Sequence, residues 1–177
     1  LTYAQLSDIC ESAFDFPLSI KELNESDSVL ELFHGPTLAF KDFAARFMAR
    51  TMSHFLENKN NEITILVATS GDTGSAVANG FFNIEGINVI ILYPSNRVSA
   101  LQEKQLTTLG ENIIALEIDG SFDDCQRMVK AAFQDDDLQN RYSLSSANSI
   151  NVARLLPQSV YYAWAWNQSH ETGPIIF

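Results

Sequence analysis

The residue best placed for covalent chemistry is Lys41, which closes the run Phe33-His-Gly-Pro-Thr-Leu-Ala-Phe-Lys41. Phe40 and Phe43 flank it where an apolar helical pattern begins. Aromatic neighbours take water away from an amine and favour its neutral form, which can form a Schiff base with an aldehyde. Because lysines are rarely buried, spacing alone leaves a solvated lysine at a helix start as the alternative.

A second candidate is the loop Ser70-Gly-Asp-Thr-Gly74, which lies between a strand pattern and a helix pattern. Glycines let the backbone approach a ligand, and free amides at a helix start attract anions. Ligands of open α/β sheets bind at the carboxyl ends of strands, where this loop is expected. The loop has neither the Gly-Lys-Ser/Thr of a phosphate-binding P-loop nor a full Gly-x-Gly-x-x-Gly. The alternative is a capped helix packed tightly on a sheet.

The third candidate is the polar segment from Ser145 to Arg154. Its amide, hydroxyl and guanidinium groups are donors suited to a small anion, and they belong to Asn148, Ser149, Asn151 and Arg154. Asn151 and Arg154 are three residues apart and share one helix face. A polar loop whose Asn or Ser caps the helix is the alternative.

Other polar side chains are predicted to be structural or solvated. Arg46, Arg50 and His54 recur every four residues and predict a solvated helix face. His34 adjoins the lysine segment, but a lone histidine is more often structural. His170 is predicted at the surface, and the run 135–137 of three aspartates is predicted as a helix end or loop.

Alternating apolar runs and amphipathic segments must position these residues. Strands are predicted at 63–68, 87–93 and 113–118, each apolar enough to be covered on both faces of a parallel sheet. Helices are predicted at 42–57, 73–85, 99–109, 121–134 and 151–167, with serine N-caps at Ser99 and Ser121. This alternation predicts an α/β fold, a three-layer, open, mainly parallel sheet with right-handed crossovers.

Composition excludes several classes of function. The 177 residues are 46% hydrophobic, which fits a packed core, and the net charge of −11 opposes nucleic acid and anionic membranes. Two cysteines and three histidines offer no disulfide framework and no evident metal site. A cytoplasmic location is the default expectation. The chain starts at Leu1 and stops in the strand-like run 173–177, so we expect a piece of a longer protein.

Together these segments resemble the threonine synthase family. The resemblance runs from about Phe14 to the end of the chain. The matching segments, in the family's order, are 32–43, 68–76, 91–94, 101–104 and 146–151. The long lysine segment is highly specific, whereas the Gly-Asp-Thr-Gly loop alone is not.

The resemblance implies a pyridoxal phosphate enzyme with the tryptophan-synthase-β-like fold, also called fold type II, here incomplete. It implies conversion of O-phospho-L-homoserine and water to L-threonine and phosphate, the last step of threonine biosynthesis. Lys41 would hold the cofactor and move protons at the substrate's α and β carbons, while the cofactor ring acts as the electron sink. The small-molecule substrate is the expected partner, in a monomer or homodimer, with no metal.

The resemblance also assigns roles by position. The cofactor would contact Lys41, Ser70, Gly71, Asp72, Thr73 and Gly74. The substrate would contact Thr69, Ser70, Thr73, Asn148, Ser149, Asn151 and Arg154. Asp72 stands where many relatives of the fold carry Asn near the cofactor hydroxyl. The family's Gly-Asn-x-Gly loop for the cofactor phosphate is absent from the sequence, so the chain alone is expected to bind cofactor weakly and to be inactive.

Residues 1–42 are expected in a larger cofactor-binding lobe, 43–147 in a smaller α/β lobe, and 148–177 in the larger lobe again. Three other functions stay open. One is another enzyme of the same fold, such as a serine/threonine dehydratase or a sulfhydrylase. The second is a non-catalytic relative that serves as a binding module, and the third is an unrelated nucleotide-binding domain suggested only by the Gly71 loop.

Overall fold

The computed structural model describes residues 1–57, 62–149 and 151–169, and the elements below lie in those ranges. The strands are β1 (Ser19–Glu22), β2 (Ser28–Glu31), β3 (Ile63–Ala68), β4 (Ile87–Pro94), β5 (Ile113–Ile118) and β6 (Ser143–Ser145). The helices are α1 (Tyr3–Ala13), α2 (Lys41–Leu56), α3 (Asp72–Phe81), α4 (Ala100–Thr107), α5 (Phe122–Gln134), α6 (Asp136–Arg141), α7 (Val152–Leu155) and α8 (Ser159–Gln168), with a 3-10 turn at Leu156–Gln158. The predicted His170 surface position and the run 173–177 lie outside the described residues.

A four-stranded parallel sheet organises the chain, in the order β5-β4-β3-β6. β3 and β4 pair in register from Ile63 opposite Ile87 to Ala68 opposite Leu92. Helices connect the strands, so the predicted mainly parallel α/β fold is confirmed. Strands β1 and β2 form a separate antiparallel hairpin before the sheet.

Alternate residues of the central strands build two apolar layers. On one face, side chains such as Ile65 and Val67 pack with α2 and α3, and on the other Leu66 and Ala68 pack with α5. At Gly80 of α3 a Cβ would lie 3.0 Å from the carbonyl carbon of Ala45 in α2, so the two helices approach closely. The sheet therefore lies between helices on both sides, as the three-layer prediction requires.

Strand β5 corrects one prediction. It was expected to be covered on both faces, yet the side chains of Ile114 and Leu116 are 49% and 43% exposed. β5 is one of the two edge strands of the described sheet, and α5 packs over β3 and β4 instead. The apolar run 113–118 correctly predicts a strand. Whether both faces of that strand are buried depends on its position in the sheet.

The predicted helix 151–167 is interrupted. Pro157 cannot donate a backbone hydrogen bond, and the chain there forms a 3-10 turn between α7 and α8. The aspartate run 135–137, predicted as a helix end or loop, does lie at a helix end, because Asp135 follows the last residue of α5. A new helix was not predicted there, yet α6 begins at Asp136, and the Asp135 carboxylate caps it by accepting from the Leu138 amide. Sequence patterns also missed α1, the β1–β2 hairpin and the short strand β6.

Arg46 was predicted on a solvated face and is in fact buried. Its guanidinium donates to the carbonyls of Ala13 and Ser12 and to the carboxylate of Asp15. These acceptors lie at the end of α1 and just beyond it, so Arg46 ties that helix end to α2. Since α1 was not predicted, the burial of this arginine could not be either.

In the part of the chain that the structure describes, none of the helices has the length and apolar character needed to cross a bilayer. The proposed boundaries after residues 42 and 147 stay a prediction. α2 contacts α3, α1, α7 and the 3-10 turn, so it connects the sheet layer to segments from both ends of the chain.

Candidate active site

Lys41 is the first residue of α2, and its amine points at the glycine-containing loop. The Nζ atom lies 3.5 Å from Oδ2 of Asp72 and 4.2 Å from the centroid of the Phe40 ring. The side chain is only 19% exposed. The solvated alternative therefore does not describe this lysine, which meets the first residue of α3 across the end of the sheet.

Asp42, the neighbour of Lys41, fixes the turn that leads into α2. Its buried carboxylate accepts from the Thr37 amide at 2.9 Å and from the Thr37 hydroxyl at 2.6 Å. A Cβ on Gly35 would lie 2.5 Å from Oδ2 of Asp42, so only glycine leaves room for the carboxylate. Burial raises the pKa of Asp42, while the hydrogen bonds from Thr37 and the charge of Arg46 oppose the rise.

Sequence reasoning missed Asp42. The available signal was a carboxylate in the first turn of a helix with a threonine five residues before it. In this arrangement the helix side chain accepts hydrogen bonds from the preceding turn, whereas in an N-cap the preceding side chain accepts from the helix. The carboxylate thus holds residues 35–37 against the start of α2, the helix whose first residue is Lys41.

We expect Asp42→Ala to lower the free energy of unfolding by about 2 to 3 kcal/mol, since two buried donors of Thr37 lose their acceptor. Urea unfolding measures this loss. Asp123→Ala is the matched control, because Asp123 is an exposed acidic residue in the first turn of α5. Equal stability losses in the two variants would contradict the role given to Asp42.

The loop between β3 and α3 is held by the buried side chain of Thr69. Its hydroxyl accepts from the amides of Gly71 at 3.0 Å and Gly74 at 2.8 Å and donates to the Gly71 carbonyl at 3.1 Å. In this conformation the Thr69 hydroxyl forms hydrogen bonds only with backbone groups of the loop among the described residues. The predicted contact of Thr69 with substrate stays a prediction. Ser70 is exposed and Thr73 half-buried at the same end of the sheet.

Gly71 adopts φ +143°, a backbone conformation that side chains disfavour. A Cβ there would lie 2.5 Å from the carboxamide atoms of Gln102. We expect Gly71→Ala to cost about 2 kcal/mol more stability than Gly110→Ala, because alanine is strained at φ +143° and its Cβ would also displace the Gln102 side chain. Gly110 also has a positive φ, +68°, but open space where its Cβ would lie. Urea unfolding of both variants tests this, and equal losses of stability would contradict it.

The segment before α8 brings a buried cation to α2. Arg154 is 4% exposed, and its Nη1 donates to the Ala147 carbonyl at 2.8 Å. Burial lowers the pKa of Arg154. Among the described residues, no carboxylate lies within 4.0 Å of this guanidinium. A buried cation without a carboxylate partner is a site suited to an anion.

Asn151 shapes the same segment. Its side chain caps α7 by accepting from the Ala153 amide at 3.0 Å, and it donates to the Ser146 carbonyl at 2.7 Å. The capping alternative is therefore correct for Asn151, and its side chain is engaged in the turn. Asn148 is half-buried and Ser149 exposed beside it.

Of the three candidate segments, two are in direct contact and the third is connected to them through α2. Lys41 and Asp72 meet directly, whereas the Arg154 segment reaches the site through α2, against which α7 and the 3-10 turn pack. The ring of Tyr161 in α8 lies edge-on to Phe43, two residues after Lys41, with centroids 5.3 Å apart. His34 pairs with Glu31 at 2.8 Å, which agrees with a structural histidine.

Comparisons with known proteins show which family the chain matches. Residues 28–168 match the family model for "Pyridoxal-phosphate dependent enzyme". A threonine synthase of Buchnera aphidicola subsp. Baizongia pistaciae is 54% identical over 161 residues, which are 90% of this chain and 37% of that protein. The chain thus spans little more than a third of the curated relatives it matches.

Two crystal structures align over nearly the whole chain. Threonine synthase from Brucella melitensis with bound pyridoxal phosphate has a TM-score of 0.87 and 40% identity, covering 97% of this chain and 39% of that one. Threonine synthase from Escherichia coli has a TM-score of 0.88 and 47% identity, covering 97% and 40%.

Proposed function

The chain belongs to the family of pyridoxal-phosphate dependent enzymes, and from this premise we propose that its protein converts O-phospho-L-homoserine and water to L-threonine and phosphate. The cofactor is pyridoxal phosphate. When bound, it supplies an electron sink that makes the carbons next to the substrate amine acidic. The reaction and substrate come from the threonine synthases to which the chain is similar.

The observation that carries the proposal is the approach of the Lys41 amine to the loop at 70–74. An aldehyde cofactor needs an amine that is sheltered and still reachable, and Lys41 is 19% exposed at the carboxyl end of β3. Beside it, Gly71 has no side chain where the backbone turns at φ +143°. The carboxylate of Asp72 can accept a hydrogen bond from the hydroxyl group on the cofactor ring. The described residues therefore fit the cofactor.

In our proposal Lys41 holds the cofactor and moves protons at the α and β carbons of the substrate. The hydrogen bonds between Asp42 and Thr37 fix the turn that leads into α2, the helix that begins at Lys41. Cofactor contacts are assigned to Ser70, Gly71, Asp72, Thr73 and Gly74. Substrate contacts are assigned to Thr69, Ser70 and Thr73 near the carboxylate, and to Asn148, Ser149, Asn151 and Arg154 near the phosphate.

Arg154 is the main phosphate ligand in this proposal. A chain with net charge −11 repels a dianion unless cations and amides are concentrated where it binds. The buried guanidinium, with only a carbonyl acceptor described, has donors to offer to phosphate oxygens. We also propose that the protein acts in the cytoplasm as a monomer or homodimer, and that residues 43–147 form the smaller lobe between parts of a larger one.

One assay separates this function from its rivals. The intact protein with pyridoxal phosphate is given O-phospho-L-homoserine, and phosphate and threonine are measured. In parallel it is given threonine, and ammonia is measured. We expect phosphate and threonine from the first reaction. Ammonia release alone would indicate a dehydratase, and no turnover of either substrate would contradict the proposed function and leave a sulfhydrylase or a binding module.

A further inference from the structure

One carboxamide connects helix α4 to the candidate active site. The Gln102 Oε1 atom accepts from the amide of Ser99 at 3.1 Å and from its hydroxyl at 3.0 Å. The Gln102 Nε2 atom donates to Oδ1 of Asp72 at 2.7 Å. Because the oxygen faces two donors and the nitrogen faces a carboxylate, the orientation of this amide is determined.

The carboxamide of Gln102 occupies the space beside Gly71 where a side chain would otherwise lie. A Cβ on Gly71 would lie 2.5 Å from the Cδ, Nε2 and Oε1 atoms of Gln102, so the bare glycine leaves the space that the amide fills. The contact joins residues 30 positions apart in the chain. It lies next to the pair formed by Asp72 Oδ2 and the Lys41 amine.

We propose that Gln102 is a positioning residue that holds the Asp72 carboxylate toward Lys41 and so prepares the site for the cofactor. The side chain of Asp72 is 53% exposed, so without a fixed donor it is free to turn into solvent. Gln102 holds one carboxylate oxygen, and the other then faces Lys41. The inference rests on the proposed binding of pyridoxal phosphate at Lys41.

The two ends of the amide can be tested separately. Gln102→Glu keeps the oxygen that caps α4 but replaces the donor to Asp72 with a second carboxylate. Ser99→Ala removes the cap hydroxyl and leaves the donor to Asp72 in place. If Gln102 serves only to cap α4, Ser99→Ala should weaken cofactor binding more than Gln102→Glu does. If Gln102 positions Asp72, Gln102→Glu should weaken cofactor binding more.

The measurement is the affinity of the intact apoprotein for pyridoxal phosphate, with urea unfolding in parallel. We expect Gln102→Glu to bind about tenfold more weakly than the parent at pH 8, the effect of losing a hydrogen bond to a charged group.

Gln105→Glu adds the same charge to the same helix, and it should bind within about twofold of the parent, as should Ser99→Ala. Parental affinity in Gln102→Glu, or an equal loss in Ser99→Ala or Gln105→Glu, overturns the inference. A parent protein that does not bind the cofactor overturns the proposed function itself, which keeps the two failures distinct.

Discussion

Lys41→Ala is expected to reduce phosphate release from O-phospho-L-homoserine by about 1,000-fold or more. The variant loses the amine that lies 3.5 Å from Asp72 at the end of β3, and with it both covalent capture of the cofactor and proton transfer. Since the side chain is partly exposed at the start of α2, stability should change little. Steady-state kinetics with saturating cofactor measures the loss.

Lys130→Ala is the matched control. Lys130 lies exposed on α5, on the other side of the sheet from α2, and its removal should leave the rate within about twofold of the parent. A Lys41→Ala protein that retains a tenth of the parental rate would contradict the assignment of Lys41 to the chemistry.

Arg154→Ala is expected to lower kcat/KM by about 100-fold, mainly through a higher KM for O-phospho-L-homoserine. A buried guanidinium forms strong, charge-assisted hydrogen bonds with phosphate, and their removal leaves the dianion without its cation. Arg154→Lys keeps the charge but not the planar fork, so an intermediate loss is expected. Inorganic phosphate should also inhibit both variants more weakly than the parent.

Two measurements separate binding from folding for Arg154. Urea unfolding shows whether losing the hydrogen bond to the Ala147 carbonyl destabilises the segment. Arg127→Ala is the control for charge, because Arg127 is 74% exposed and pairs with Asp124 on the same helix. An unchanged KM in a folded Arg154→Ala protein would contradict the phosphate assignment.

Local patterns were sufficient for much of the fold. The three apolar strands and the serine caps of α4 and α5 depend on short stretches of sequence, and they lie where they were predicted. The exposure of Ile114 on β5 could not be predicted, because it depends on strand order. The break at Pro157 was available from the sequence, since a proline inside a helical pattern commonly ends or kinks it.

Contacts between distant residues mark the limit of sequence reasoning at the site. That Lys41 meets the loop agrees with the general rule that ligands of parallel sheets bind at the carboxyl ends of strands. Arg46 bonds to carbonyls 33 and 34 residues away, and no local pattern distinguishes it from a solvated arginine. Gln102 reads locally as a cap residue, and only the structure shows its second bond to Asp72.

Borohydride reduction tests directly whether the Lys41 amine binds the cofactor covalently. The intact protein is incubated with pyridoxal phosphate, reduced with borohydride and digested, and the modified peptide is identified by mass spectrometry. We expect one stoichiometric pyridoxyl group on Lys41 and none in the Lys41→Ala protein. A protein that binds the cofactor but carries the label on another lysine, or on none, would contradict it.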